Sequence, residues 1–137
     1  MTKPLLEKDK LGHDGEAIAV EYLRRKNYVI LHTNCFIGKR ELDIVAKDGE
    51  TVVFAEVKTR RSGQFGNPAD RVDADKQATL WQLAETYLKT QKLHGVPMRI
   101  DVLSIVLSET GEPFVEHIVN AFHPSDRQTT KKRKKRI

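Results

Sequence analysis

The run from Glu41 to Lys58 leaves this chain few choices of fold. Two stretches rich in β-branched and apolar residues flank Asp48-Gly49, a dipeptide suited to a two-residue hairpin turn. A turn that tight sets Lys47 against Glu50, and the pairs Val45–Val52, Asp43–Phe54 and Glu41–Glu56 follow. Side chains alternate faces along a strand, so Glu41, Asp43, Glu56 and Lys58 share one face with Val45, Val52 and Phe54. Asp43 and Glu56 become diagonal neighbours, about 7–8 Å apart at the backbone.

That face asks for two things at once. Val52 and Phe54 need a packed layer over them, whereas like charges close together destabilise a sheet and a buried unpaired carboxylate is costly. A cation between the acids resolves the conflict, with Lys58 adding positive charge. The plainer alternative is a solvated face whose acids pair with nearby Lys or Arg.

Length and charge narrow the setting. At 137 residues the chain suits a single domain able to bury a real core. No apolar run is long enough to cross a bilayer, and the first ten residues lack the apolar core of a signal peptide. Cys35 is the one cysteine, which rules out a disulfide framework. A cytoplasmic address is expected. The net charge is +5, yet Lys131, Lys132, Arg133, Lys134, Lys135 and Arg136 hold six of the 24 basic residues. The other 18 face 19 acids, so the body carries −1 and the tail supplies the basic character. A block of like charges repels itself and reads as a disordered arm for nucleic acid; a solubilising tail is the alternative. Residues 1–10 are read as an extension, 11–123 as the domain and 124–137 as the tail.

Apolar spacing predicts a helix from Leu11 to Lys26, capped by Asp14, with Glu16 on the stripe of Val20 and Leu23. A strand is expected at Tyr28–Leu31, continuing towards His32-Thr33-Asn34, and Cys35–Arg40 is read as the connection to the hairpin. The segment Thr59–Asp75 reads as a long connection whose Arg60, Arg61 and Arg71 can meet phosphates. A second helix, capped by Asp73, runs to about Leu93 with Lys76 on its inward side. Strands at Arg99–Leu107 and Phe114–Asn120 complete the order α-β-β-β-α-β-β. The five histidines show no metal-ligand spacing.

Two carboxylates with a lysine two residues after the second are the parts that phosphodiester cleavage needs. Hard cations such as Mg²⁺ or Mn²⁺ prefer carboxylate oxygens, and a bound ion polarises a phosphoryl oxygen. A lysine beside it stabilises developing negative charge. In Glu56-Val57-Lys58 the acid and amine share a face, while Val57 points away and offers its backbone carbonyl.

Gly15-Glu16, Glu41-Leu42-Asp43-Ile44-Val45, Val53 to Arg60, Phe65-Gly66, Lys76, Tyr87-Leu88 and Arg99-Ile100-Asp101-Val102 together resemble a known family. They are similar to the small bacterial proteins called YraN-like, placed among restriction-endonuclease-like and Holliday-junction-resolvase-like folds. The resemblance covers residues 12–122, departs at Arg40, where glycine is expected, and leaves the basic tail outside. It implies a mixed central sheet with helices on its faces. It also implies Asp43 and Glu56 as metal-holding catalytic residues, Lys58 as catalytic assistant and Glu16 completing the acids. Glu41, Arg99 and Asp101 are candidates for supporting roles, and Lys76 joins the arginines against nucleic acid. The expected activity is metal-dependent cleavage of structured or damaged DNA, with a non-catalytic nucleic-acid-binding protein as the alternative. Junction-cleaving relatives of the fold act as dimers, so a homodimer is expected on resemblance alone, and no membrane partner is.

Overall fold

Alternating apolar residues build a five-stranded sheet, and a helix covers each of its faces. The computed structural model describes residues 7–62, 74–109 and 111–122, with side chains from residue 14 onward. In chain order the elements are α1 (Glu7–Arg25), β1 (Val29–Ile37), β2 (Arg40–Asp48), β3 (Thr51–Arg61), α2 (Ala74–Thr90), β4 (Met98–Leu107) and β5 (Phe114–Phe122). The strands lie side by side in sequence order. Neighbours are antiparallel except β3 and β4, which run parallel because α2 carries the chain back between them. This is the mixed α/β architecture and element order expected from the sequence. Among the described residues no helix is long and apolar enough to cross a membrane.

Each helix buries one stripe. Leu80, Leu83, Ala84 and Tyr87 of α2 pack on Leu42, Val45, Val52, Phe54, Ile100 and Val102. Ala19 and Leu23 of α1 pack on Ile44, Ala46, Ala55, Leu103 and Ile105 on the other face. Fully burying an aliphatic or aromatic side chain stabilises by ~1.5–3 kcal/mol, so these two layers dominate the fold. Gly15 lets α1 come close: a Cβ there would overlap the Thr59 side chain of β3.

The hairpin differs from expectation by one turn position. Its loop is Gly49-Glu50, and the ladder runs Asp48↔Thr51, Lys47↔Val52, Ala46↔Val53, Val45↔Phe54 and Ile44↔Ala55. Gly49 takes the first central position with φ +60°, a left-handed conformation that glycine adopts freely. Asp48 stays in the strand, where Arg99 donates to it at 3.1 Å. The pairs move by two residues, and Val45, Val52 and Phe54 do share the α2 side. Glu41, expected on the same face, is instead joined through Asn34 to Glu16 of α1, because the alternation breaks at Asp43. The ladder ends at Ile44↔Ala55, and beyond it Asp43 accepts from the N–H of Val57, the residue after Glu56.

Other boundaries shift too. β1 continues through Cys35-Phe36-Ile37, so the expected connection is a second tight hairpin turning at Gly38-Lys39, with Gly38 at φ +64°. α1 begins at Glu7, making Asp14 an interior residue instead of its cap, and α2 ends at Thr90 instead of Leu93. β3 takes in Thr59, Arg60 and Arg61, and β5 runs on to Phe122. Asp73, Arg71 and the six basic tail residues lie outside the described residues.

Candidate metal centre where β2 leaves β3

The β1–β2 pair changes face in the middle, and the acids gather there. Thr33 opposes Ile44, which packs under α1, yet Cys35 opposes Leu42, and both pack toward α2. Residues two apart on a regular strand share a face. The exception falls on Asn34 and Asp43, and Asn34 has φ +51°. Asparagine tolerates that conformation better than most residues. At this point the β2–β3 ladder stops, and the Val57 N–H donates to Asp43 Oδ2 at 2.9 Å.

Asp43 therefore borders both sides of the sheet. On the α2 side it lines a cavity of about 550 Å³ with Arg40, Glu41, Glu56, Lys76 and Leu80. On the α1 side it lines one of about 370 Å³ with Glu16, Val20, Thr33 and Asn34. Glu16, Glu41 and Asp43 each offer an oxygen, all within 4.8 Å of one another. Asn34 Nδ2 bridges two of them, donating to Glu16 Oε2 at 2.8 Å and Glu41 Oε1 at 2.7 Å. Its left-handed backbone aims the amide at the acids. Sequence reasoning missed Asn34; the signal was an asparagine inside an otherwise strand-like run.

Glu56 is held differently. Its carboxylate is nearly buried, and Lys76 Nζ of α2 sits 2.8 Å from Oε1 and Lys58 Nζ 3.3 Å from the same atom. Lys76, expected against nucleic acid, is thus a partner of an acid. Burial, and then the neighbouring Lys76, hold the Lys58 ammonium below its ordinary range. Lys76 is raised: burial pulls it down, and Glu56 and Lys58 outweigh that. Burial, reinforced by the charge of Glu56, pushes Asp43 up to about 7, against the pull of the Val57 N–H.

Arg99 and Asp101 form a second network. Arg99 donates to Asp101, Asp48 and the Tyr28 hydroxyl, while His117 Nε2 lies 2.7 Å from Asp101 Oδ2 and the Asn120 N–H donates to Oδ1. Asp101 is fully buried. Burial would raise its pKa, but the His117 and Arg99 hydrogen bonds outweigh that and hold it below the usual carboxylate range. An ionised carboxylate only accepts, so Nε2 carries the imidazole proton. These residues pin β4 and β5 to the end of the β2–β3 hairpin. Arg60 and Arg61 lie on the last stretch of β3, past Lys58, opposite Val106 and Leu107 of β4.

The family model for the uncharacterised protein family UPF0102 matches residues 15–105, which take in Glu16, Asn34, Glu41, Asp43, Glu56, Lys58 and Lys76. A UPF0102 protein of Geobacter metallireducens is 46% identical over 118 residues, 85% of this chain and 95% of the relative. One from Dehalococcoides mccartyi is 44% identical over 110 residues, 80% and 90% of the two chains. One from Dictyoglomus thermophilum is 38% identical over 114 residues, 82% and 97%.

Proposed function

The chain belongs to the uncharacterised protein family UPF0102, and we propose that it is a metal-dependent endonuclease acting on structured or damaged DNA. The observation that carries this reading is the meeting of three carboxylates within 4.8 Å beside a fourth that two lysines hold. Half-buried acids this close, one of them pushed up to about 7, form a donor set that fits a hard divalent cation. Glu16, Glu41 and Asp43 would hold Mg²⁺ or Mn²⁺, with Glu56 beside them. Such an ion polarises a phosphoryl oxygen and lowers the pKa of a bound water.

The chain's own groups do the rest. Asn34 fixes the Glu16 and Glu41 carboxylates through its two donated hydrogen bonds. The Val57 N–H orients Asp43. Glu56 orients both ammonium groups, leaving Lys58 Nζ to steady charge on a phosphate oxygen or pass a proton. Arg40, on the cavity wall, offers a further cation for the phosphodiester backbone.

A cleavage screen over linear, flapped, junction and single-stranded substrates in Mg²⁺ and Mn²⁺ tests this reading. Nicking is expected for at least one form. Lys58→Ala should slow it by roughly 10²–10³-fold, the cost of losing one charge-stabilising donor, and Glu56→Ala should abolish it. Failure to cut any form would overturn it. The saturation of Glu56 by two lysines favours a second reading, in which the fold binds nucleic acid without cleaving it. Binding that survives Asp43→Ala and Glu56→Ala, with no cleavage by the unaltered protein, would establish that reading instead.

A further inference from the structure

Four large apolar side chains stand exposed among the described residues: Val29, Phe36, Phe114 and Val119. Single exposed apolar residues are ordinary on a protein surface, so position decides whether one matters. Val29 opposes Lys47 at the far end of β1, and Phe114 and Val119 belong to β5. Phe36 is different. It is 65% exposed and opposes Glu41, one of the three clustered acids.

Its direction follows from its neighbours. Cys35 and Ile37 pack toward α2, so Phe36 points to the other face, where Glu41 meets Asn34 and Glu16. Directly paired residues hold their Cβ atoms about 4.5–5.5 Å apart. The ring is therefore one side chain away from the acids. Three residues on, the turn carries exposed Lys39. The β1–β2 tip thus combines a bare aromatic ring, a cation and an adjoining acidic pocket.

We propose that Phe36 is a stacking platform for an unpaired base next to the phosphate held at the acidic site. The inference rests on the nuclease reading for its ligand and names what that site recognises: a nucleic-acid strand with at least one unstacked base. Lys39, at the turn, complements the charge of an adjoining phosphate. A ring presents its face to any base, so the platform selects strand form and not sequence. A fully paired duplex, whose bases are stacked on each other, gains nothing from it. This preference would make flaps, gaps and junction arms better ligands than blunt duplex.

Fluorescence anisotropy tests it, using a labelled single-stranded oligonucleotide, a flapped duplex and a blunt duplex in Ca²⁺, a cation suited to carboxylate sites. Phe36→Ala should weaken binding of the first two by roughly 5- to 150-fold, the range for losing one stacked base. Blunt-duplex binding should stay unchanged, and Phe36→Trp should restore the preference. In the flap, replacing bases one at a time with an abasic unit should weaken the unaltered protein at one position and leave Phe36→Ala indifferent there. Equal affinities of the unaltered protein and Phe36→Ala for all three ligands would overturn the platform. So would an abasic effect that persists in Phe36→Ala. A protein that binds with the flap preference but cuts nothing keeps the platform and loses the nuclease reading. One that binds no oligonucleotide loses both.

Discussion

Asp43 carries more of the site's physics than any other residue. Its carboxyl is pushed from 3.8 to about 7, first by burial and then by the charge of Glu56. The folded pKa lies above the unfolded one, so folding favours the protonated form. That stabilisation is fully present below pH ~4 and is lost as pH rises through about 7. The shift corresponds to ~4 kcal/mol at most, a large part of a small domain's total stability. Denaturant unfolding with a chelator present should therefore show a contribution to stability that falls between about pH 4 and 7. Asp43→Asn should flatten that fall, because asparagine still accepts the Val57 N–H and carries no charge. At pH 8, millimolar Mn²⁺ should raise the melting temperature of the unaltered protein more than that of Asp43→Asn. A pH profile identical in both proteins would sink this account of the residue. Legibility was uneven at this scale. The identities of the acids and of Lys58 were plain in the sequence. The bridging by Asn34 was not, because it depends on a backbone φ and on Glu16, a helical residue 18 positions away.

At the scale of elements, α1 is placed by the absence of a side chain. A Cβ on Gly15 would overlap Thr59, and Gly15 directly precedes Glu16. Gly15→Ala gains ~1 kcal/mol of helix propensity, but overpacking typically costs 1–3 kcal/mol, so the balance is destabilising. To relieve the overlap α1 must back away from β3 and take Glu16 with it. Thermal melts should show lower stability for Gly15→Ala, together with a smaller stabilisation by Mn²⁺. A variant as stable and as metal-responsive as the original would mean the helix has room to spare. The helix stripes were legible because apolar spacing is a local property. The exact turn position was not: Asp48-Gly49 and Gly49-Glu50 are both plausible loops, and the choice follows from which residue accepts the positive φ. Arg99 reaching Asp48 from β4 holds that choice.

Across the whole molecule, charge is divided between a body near neutrality and a terminal run of six cations. If all six meet duplex phosphates, deleting residues 131–137 should flatten the slope of log K against log salt by up to about 5. Titrations at several salt concentrations would measure it, and an unchanged slope would mean the run does not touch DNA. The sequence by itself determined the class of the fold, the shared face of Val45, Val52 and Phe54, and the list of acids and lysines. These follow from periods of two and 3.6 residues and from side-chain chemistry, which a chain carries everywhere along its length. The tertiary structure decided which groups meet. It brought the Val57 N–H to Asp43, gave Glu56 to Lys76 and Lys58, joined Glu16 to Glu41 through Asn34, and drew Arg99 and Asp101 into a separate network. Most of those contacts span elements, and the geometry of the acidic site exists only once helices dock on the sheet and the β1–β2 pair changes face.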